Sequence, residues 1–238
     1  AEAPAMVVHE SDGHWHRWIE QRPVQMLVGS LVVIMIGGLV EIIPTFLINS
    51  NVPQISTVQP YTPLELHGRD IYIKDGCYLC HSQMIRPFRS ETERYGEYSK
   101  AGEFIYDRPF QWGSKRTGPD LHRVGGKYPH SWHYNHMIDP TSMSPGSIMP
   151  AYPWMAENDI DMSSTPAKIR VLQMLGTPYP EGYDKIANDE LMKQAKKIAG
   201  ELKDQGIEIE PQKDLIALIA YLQRLGTDIK KVPIVEEE

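Results

Sequence analysis

The chain has 238 residues, of which 41% are hydrophobic and 23% charged, which fits a globular protein of one or two domains. Its formal net charge of −7 argues against nucleic acid as a partner, because no basic stripe is available to neutralise a phosphate backbone. The acidic balance reads first as a solvated surface, and second as a docking face for a basic partner.

Residues 1–22 are polar and rich in His and Trp. No charged residue occurs from Pro23 to Val40, and the apolar run resumes after Glu41 through Ile48. A spanning helix needs about 20 apolar residues, so residues 23–48 predict a transmembrane anchor. A signal peptide has a shorter apolar core, roughly 7–15 residues, and a small-residue cleavage site that does not follow here. Arg17 and Arg22 precede the span, and no Lys or Arg occurs from Val24 to Gly68. The positive-inside rule then puts residues 1–22 in the cytoplasm and everything after Asn49 outside. At about 100° per residue, Ser30, Gly37, Glu41 and Pro44 share one stripe of this helix. Small residues and a carboxylate at membrane depth suit packing against another subunit.

Residues 49–61, with Pro53 and Pro60, read as an extended linker. A helix follows: Thr62 is its N-cap, Pro63 its first residue, Glu65 completes a capping box and Gly76 stops it. Ser82 to Arg116 has no sustained period and reads as a long surface loop. Three helices are predicted beyond it. The first runs from Thr165, its N-cap, to Leu175, before Gly176. The second covers Asp189–Gln205, with Leu191, Ala195, Ile198, Ala199 and Leu202 on one face. The third covers Pro211–Leu225, with Leu215, Leu218, Ile219 and Leu222 likewise aligned. Residues 227–238 form an acidic tail. No repeat and no strand is evident, so residues 62–226 predict one mainly α domain.

The two cysteines stand three apart, in Cys77-Tyr78-Leu79-Cys80-His81. At the end of a helix that spacing reaches both vinyl groups of one haem, and the next residue presents an imidazole to the iron. A redox dithiol would open a helix after a strand, whereas this motif closes one. A zinc site wants four ligands, and no third cysteine exists. One covalent haem c on Cys77 and Cys80, ligated by His81, is therefore expected. With both cysteines in thioethers none is left for a disulfide, so cysteine count does not fix the redox compartment. Met149 is the candidate sixth ligand, with Met143 and Met155 as competitors. A thioether raises the potential and suits electron transfer rather than oxygen activation. His122, His130, His133 and His136 form no spaced copper site and read as surface or packing residues.

Gly68, Tyr72, Thr117-Gly118-Pro119-Asp120-Leu121, Met149-Pro150-Ala151 and Leu218-Ile219-Ala220-Tyr221-Leu222 resemble the landmarks of class I cytochromes c. That resemblance implies that the Pro119 carbonyl accepts the other N–H of His81, with Leu121 beside the haem. It also implies that the first and last helices cross at Gly68, Tyr72 and Tyr221.

From Val24 to Gly226 the chain further resembles the mono-haem subunit, FixO or CcoO, of cbb(3)-type cytochrome c oxidases. Gly37-Gly38-Leu39-Val40-Glu41-Ile42-Ile43-Pro44, Cys80-His81-Ser82-Gln83-Met84-Ile85-Arg86-Pro87, Arg94-Tyr95-Gly96-Glu97-Tyr98-Ser99 and Pro150-Ala151-Tyr152-Pro153-Trp154 carry it. The implied architecture is mainly α, with one N-terminal transmembrane helix followed by a class I cytochrome c-like haem domain holding a long loop insertion. The implied place is the bacterial cytoplasmic membrane, with the haem domain on the periplasmic side. Its electrons would come from a dihaem cytochrome c subunit or a soluble cytochrome c. They would go to the low-spin haem b of the catalytic haem–copper oxidase subunit, with no oxygen chemistry on this chain. A free-standing membrane-anchored shuttle needs neither the long loop nor the polar membrane stripe. A third possibility is an enzyme or sensor with an open haem face, in which Met149 is core filler.

Overall fold

The computed structural model describes residues 14–48 and 53–231. The expected N-terminal segment before His14, linker residues 49–52 and tail residues 232–238 lie outside the described residues. The chain divides into two compact units, residues 1–52 and 53–238.

In the first unit, α1 covers His14–Glu20 and α2 covers Pro23–Leu47. Pro23 occupies the first turn of α2, where its missing N–H costs nothing. At about 1.5 Å per residue, the 25 residues of α2 exceed a hydrocarbon core of about 30 Å. Its window Pro23–Thr45 is long and apolar enough to cross a membrane. Leu27, Val33, Ile34 and Val40 stand exposed, the opposite of a soluble core helix. A Cβ added at Gly29, Gly37 or Gly38 would meet nothing within 4 Å.

The second unit is helical, and no strand occurs among the described residues. Its centre is the crossing of α3 (Pro63–Lys74) with α9 (Asp214–Arg224). The capping box forms as the sequence predicts: Thr62 Oγ1 accepts from the Glu65 N–H at 3.3 Å, and Glu65 accepts from the Thr62 N–H at 2.8 Å. Gly68 makes the crossing close, since a Cβ there would lie 1.9 Å from the Ala217 carbonyl oxygen. Tyr72 and Tyr221 are buried side by side, their ring centroids 5.5 Å apart. Leu64, Ile71, Leu215, Leu218 and Ile219 fill the surrounding core, with Leu191, Ala195, Ile198 and Leu202 added from α8 (Tyr183–Asp204).

The elements depart from the sequence reading in four places. First, α8 begins at Tyr183 rather than Asp189. Its early turns are mostly polar, and Tyr183 and Asp184 are held by Glu190 and Arg170 rather than by an apolar face. Second, α9 begins at Asp214 instead of Pro211. Third, Thr165 is the first residue of α7 (Thr165–Met174) and not its cap, because its hydroxyl bonds Nε2 of His67 at 2.8 Å. Fourth, the insertion over Ser82–Arg116 is folded. It holds α4 (Arg89–Tyr95) and a 3-10 turn at Ala101–Phe104, and buries Ile85, Glu91, Phe104, Asp107 and Gln111. The sequence also gave no sign of α5 (His130–Ile138) or the single turn α6 (Pro140–Met143).

Candidate haem site

After α3, Gly76 turns left-handed (φ 71°), and a 3-10 turn over Cys77–Leu79 leads to His81. The His81 N–H donates to the Cys77 carbonyl at 2.9 Å. The two cysteines form no disulfide; Cys77 is half-buried against the core and Cys80 is exposed. Burial pushes the Cys77 thiol up to about 12.

The Gly118-Pro119 segment lies flush on the His81 ring. A Cβ at Gly118 would stand 2.2 Å from the ring's Cε1, so only glycine admits this approach. The segment is fixed by backbone bonds from the Gly118 N–H to the Cys80 carbonyl and from the Leu121 N–H to the Ser82 carbonyl, each 2.9 Å. Asp120 locks the turn by accepting from Ser82 Oγ at 2.6 Å and from the Met84 and His122 N–H groups at 2.9 Å.

His81 Nδ1 stands 2.8 Å from the Pro119 carbonyl oxygen. A carbonyl only accepts, so Nδ1 carries the proton and Nε2 keeps its lone pair. Burial pulls the His81 pKa down, with the Pro119 carbonyl opposing. The ring is thus a neutral imidazole of fixed tautomer, which is what a metal ligand requires.

His81 opens onto a cavity of about 570 Å³, within the roughly 300–1,000 Å³ usual for cofactor sites. Cys80, Pro119, Leu121 and Met149 are on its wall, so the cavity brings together the sequence-predicted residues except Cys77. Met143 and Met155 are not on it; Met155 is wholly buried in the core. Met137, on α5, is a wall residue the sequence reading did not consider. The Met149 loop is tied to α5 through the Tyr152 N–H, which donates to the Met137 carbonyl at 2.7 Å.

The histidines expected at the surface or in packing have separate places. His122 is buried, bonded through Nδ1 to Ser99 Oγ at 2.5 Å and stacked on Phe104 at 4.6 Å. His133 and His136 line the cavity. Among the described residues, no three His, Cys, Asp or Glu side chains stand close enough to share a metal ion.

These residues fit a haem. A mostly apolar wall, a tautomer-fixed imidazole, a thiol and a thioether share one cavity, and buried imidazole nitrogens on that wall have no protein partner. The signals available in sequence were the cysteine motif and the Gly-Pro and Met-Pro landmarks. For α5 there was none, since its buried side is built of His, Trp and Met rather than aliphatic residues. Compared with known proteins, residues 16–229 match the family model described as cytochrome C oxidase, mono-heme subunit/FixO. No curated protein matches the chain.

Proposed function

The chain belongs to the FixO family of cytochrome c oxidase mono-haem subunits, and on that footing we propose that it is the electron-transfer subunit of a membrane terminal oxidase. It takes single electrons from a dihaem cytochrome c subunit or a soluble cytochrome c. It delivers them to the low-spin haem b of the catalytic haem–copper subunit. The observation that carries this reading is the His81 ring, held by the Pro119 carbonyl at 2.8 Å on the wall that also bears Cys80 and Met149.

Bound haem supplies a one-electron iron couple. The protein's own groups do the rest. Cys77 and Cys80 would attach the cofactor through thioethers, so that it would stay with the chain when the fold is lost. His81 offers Nε2 to the iron while Nδ1 holds its proton against the Pro119 carbonyl, which fixes ring orientation and ligand basicity. Met149, on the same cavity wall, would offer its thioether as the second iron ligand and favour the ferrous state. Leu121, Met137 and Leu222 keep that part of the wall apolar and exclude water. Helix α2 anchors the subunit, with Arg17 and Arg22 on the cytoplasmic side and the haem domain on the periplasmic side.

Haem staining after denaturing electrophoresis should show haem travelling with the chain, and loss of haem to acid-acetone would overturn covalent attachment. Met149→Leu should abolish the near-infrared sulfur-to-iron band of the ferric protein and lower its potential. If Met137→Leu, Met143→Leu or Met155→Leu does so instead, the ligand is that residue. Mild-detergent purification should retain the catalytic subunit, and external protease on spheroplasts should clip the haem domain but spare residues before Pro23.

A further inference from the structure

Helix α5 and the residue two before it present a ladder of rings. Tyr128 stacks on Trp132 at 4.1 Å, and Trp132 on His136 at 4.6 Å. His133 lies edge-on to Tyr128 and Trp132, and its side chain is 0% exposed. All four rings line the haem cavity.

Neither ring nitrogen of His133 has a hydrogen-bond partner, nor has Nδ1 of His136. The other buried histidines behave differently: His67 is bonded to Thr165 at 2.8 Å and His122 to Ser99 at 2.5 Å. A fully buried imidazole with no partner is costly, and native proteins rarely keep one without a use. Burial holds His133 down to about 4, helped by His130 and His136, so it is a neutral ring with one N–H to donate.

The charge on this wall points the same way. Arg94, Arg123 and Lys127 line the cavity against one acid, Asp120, although the chain as a whole carries −7. Asp120 is already taken by Ser82, Met84 and His122, and Arg123 by Glu103. Arg94 and Lys127, each lying against a neighbouring tyrosine ring, are left to face a negatively charged ligand edge. On a haem the acceptors for an N–H donor are its two propionate carboxylates, whereas the iron, which His81 and Met149 would hold, takes lone pairs.

Resting on the haem reading above, we propose that His133 donates its ring N–H to a propionate carboxylate, so that α5 receives the acidic edge of the cofactor. His133 is thereby a positioning residue, fixing the rotation of the haem within the cavity and holding that carboxylate ionised.

The test uses the full-length haem-loaded protein in mild detergent, with His133→Phe, which keeps a flat ring, and His133→Gln, which keeps a donor. Haem staining and the near-infrared band come first; a parent without covalent haem defeats the haem reading itself, separately from this proposal. With haem retained, His133→Phe should shift the propionate bending band of the resonance Raman spectrum to lower frequency, and His133→Gln should return it toward the parent. An unmoved band in His133→Phe overturns the proposal. If His133→Phe does not accumulate, a side-chain-resolution structure of the haem-loaded parent decides. A His133 nitrogen within about 3.2 Å of a propionate oxygen upholds the proposal, and a ring bonded only to water overturns it.

Discussion

The Cys77–His81 segment is held from two sides by packings of opposite chemistry. The α3–α9 crossing is apolar and close: Gly68 lies against the Ala217 backbone, with Tyr72, Tyr221 and a sheath of Leu and Ile around them. The 82–116 insertion is held largely by buried ion pairs. Arg123 donates to both oxygens of Glu103 at 2.7 Å, Arg69 to Asp107 at 3.0 Å, and Arg116 to Glu91 at 2.7 Å. Its end reaches the haem motif itself, where a Cβ added at Gly113 would lie 3.1 Å from the carbonyl oxygens of both Tyr78 and His81. Apolar packing is non-directional and tolerates no added volume here, whereas the polar side tolerates no missing partner. The same segment is therefore sensitive to different substitutions on its two sides.

The largest effect is expected at the apolar side. Gly68→Val drives a side chain into backbone at 1.9 Å, and neither helix can yield without opening the core. A cost above about 4 kcal/mol follows, enough to remove the haem-bearing chain from membranes, as haem staining and immunoblotting would report. On the polar side, Arg123→Met removes both guanidinium bonds from the buried Glu103 carboxylate, which keeps the Lys100 N–H at 2.9 Å but no cationic partner as close, the two side chains being 5% and 4% exposed in the parent. That costs about 3–5 kcal/mol, read as a lowered thermal midpoint in detergent. Adding Glu103→Gln should recover part of the loss, which no second substitution near Gly68 should do.

This contrast also explains what could be read from the sequence. The α3 helix was legible because Thr62, Pro63 and Glu65 act within one turn, and α9 because its apolar residues repeat at helical spacing. That Cys80, His81, Pro119, Leu121 and Met149 share one cavity was legible because the cysteine motif and the Gly-Pro and Met-Pro landmarks single out those residues. The insertion was not, because Arg69 and Asp107 lie 38 residues apart and Arg116 and Glu91 lie 25 apart, with nothing local to announce either pair. Helix α4 reads RSETERY, without an apolar period, and the inward face of α5 is histidine, tryptophan and methionine. Sequence patterns report burial when it is apolar; both missed elements turn polar or aromatic groups inward.

A smaller, pH-dependent effect should appear at Glu91. Arg116, then Arg86, hold its carboxyl down to about 2 from the ordinary 4.5, with burial opposing. A depressed carboxylate contributes stability that is present above the unfolded value and is lost as pH falls through the folded one. The parent should therefore lose this contribution between about pH 5 and pH 2. Glu91→Gln should be less stable at pH 7, and its midpoint should converge with the parent's across that window.

The smallest effect is expected at Arg89, and it separates long-range from local support of the insertion. Arg89 and Glu93 pair at 2.7 Å one turn apart on α4, but their side chains are 90% and 62% exposed. Exposed pairs at this spacing contribute at most about 0.5 kcal/mol. A seven-residue helix is also too short to stand by itself, so its shape must come from what surrounds it. Glu91, in the same helix, is buried and bonded by Arg86 and by Arg116, 25 residues further along the chain. Arg89→Ala should then leave the thermal midpoint and the haem spectrum unchanged, while Glu91→Gln moves the midpoint. If Arg89→Ala lowers the midpoint as much as Glu91→Gln does, α4 depends on its own surface pairing. The insertion would then be a locally stabilised appendage rather than a wall fastened to the haem motif.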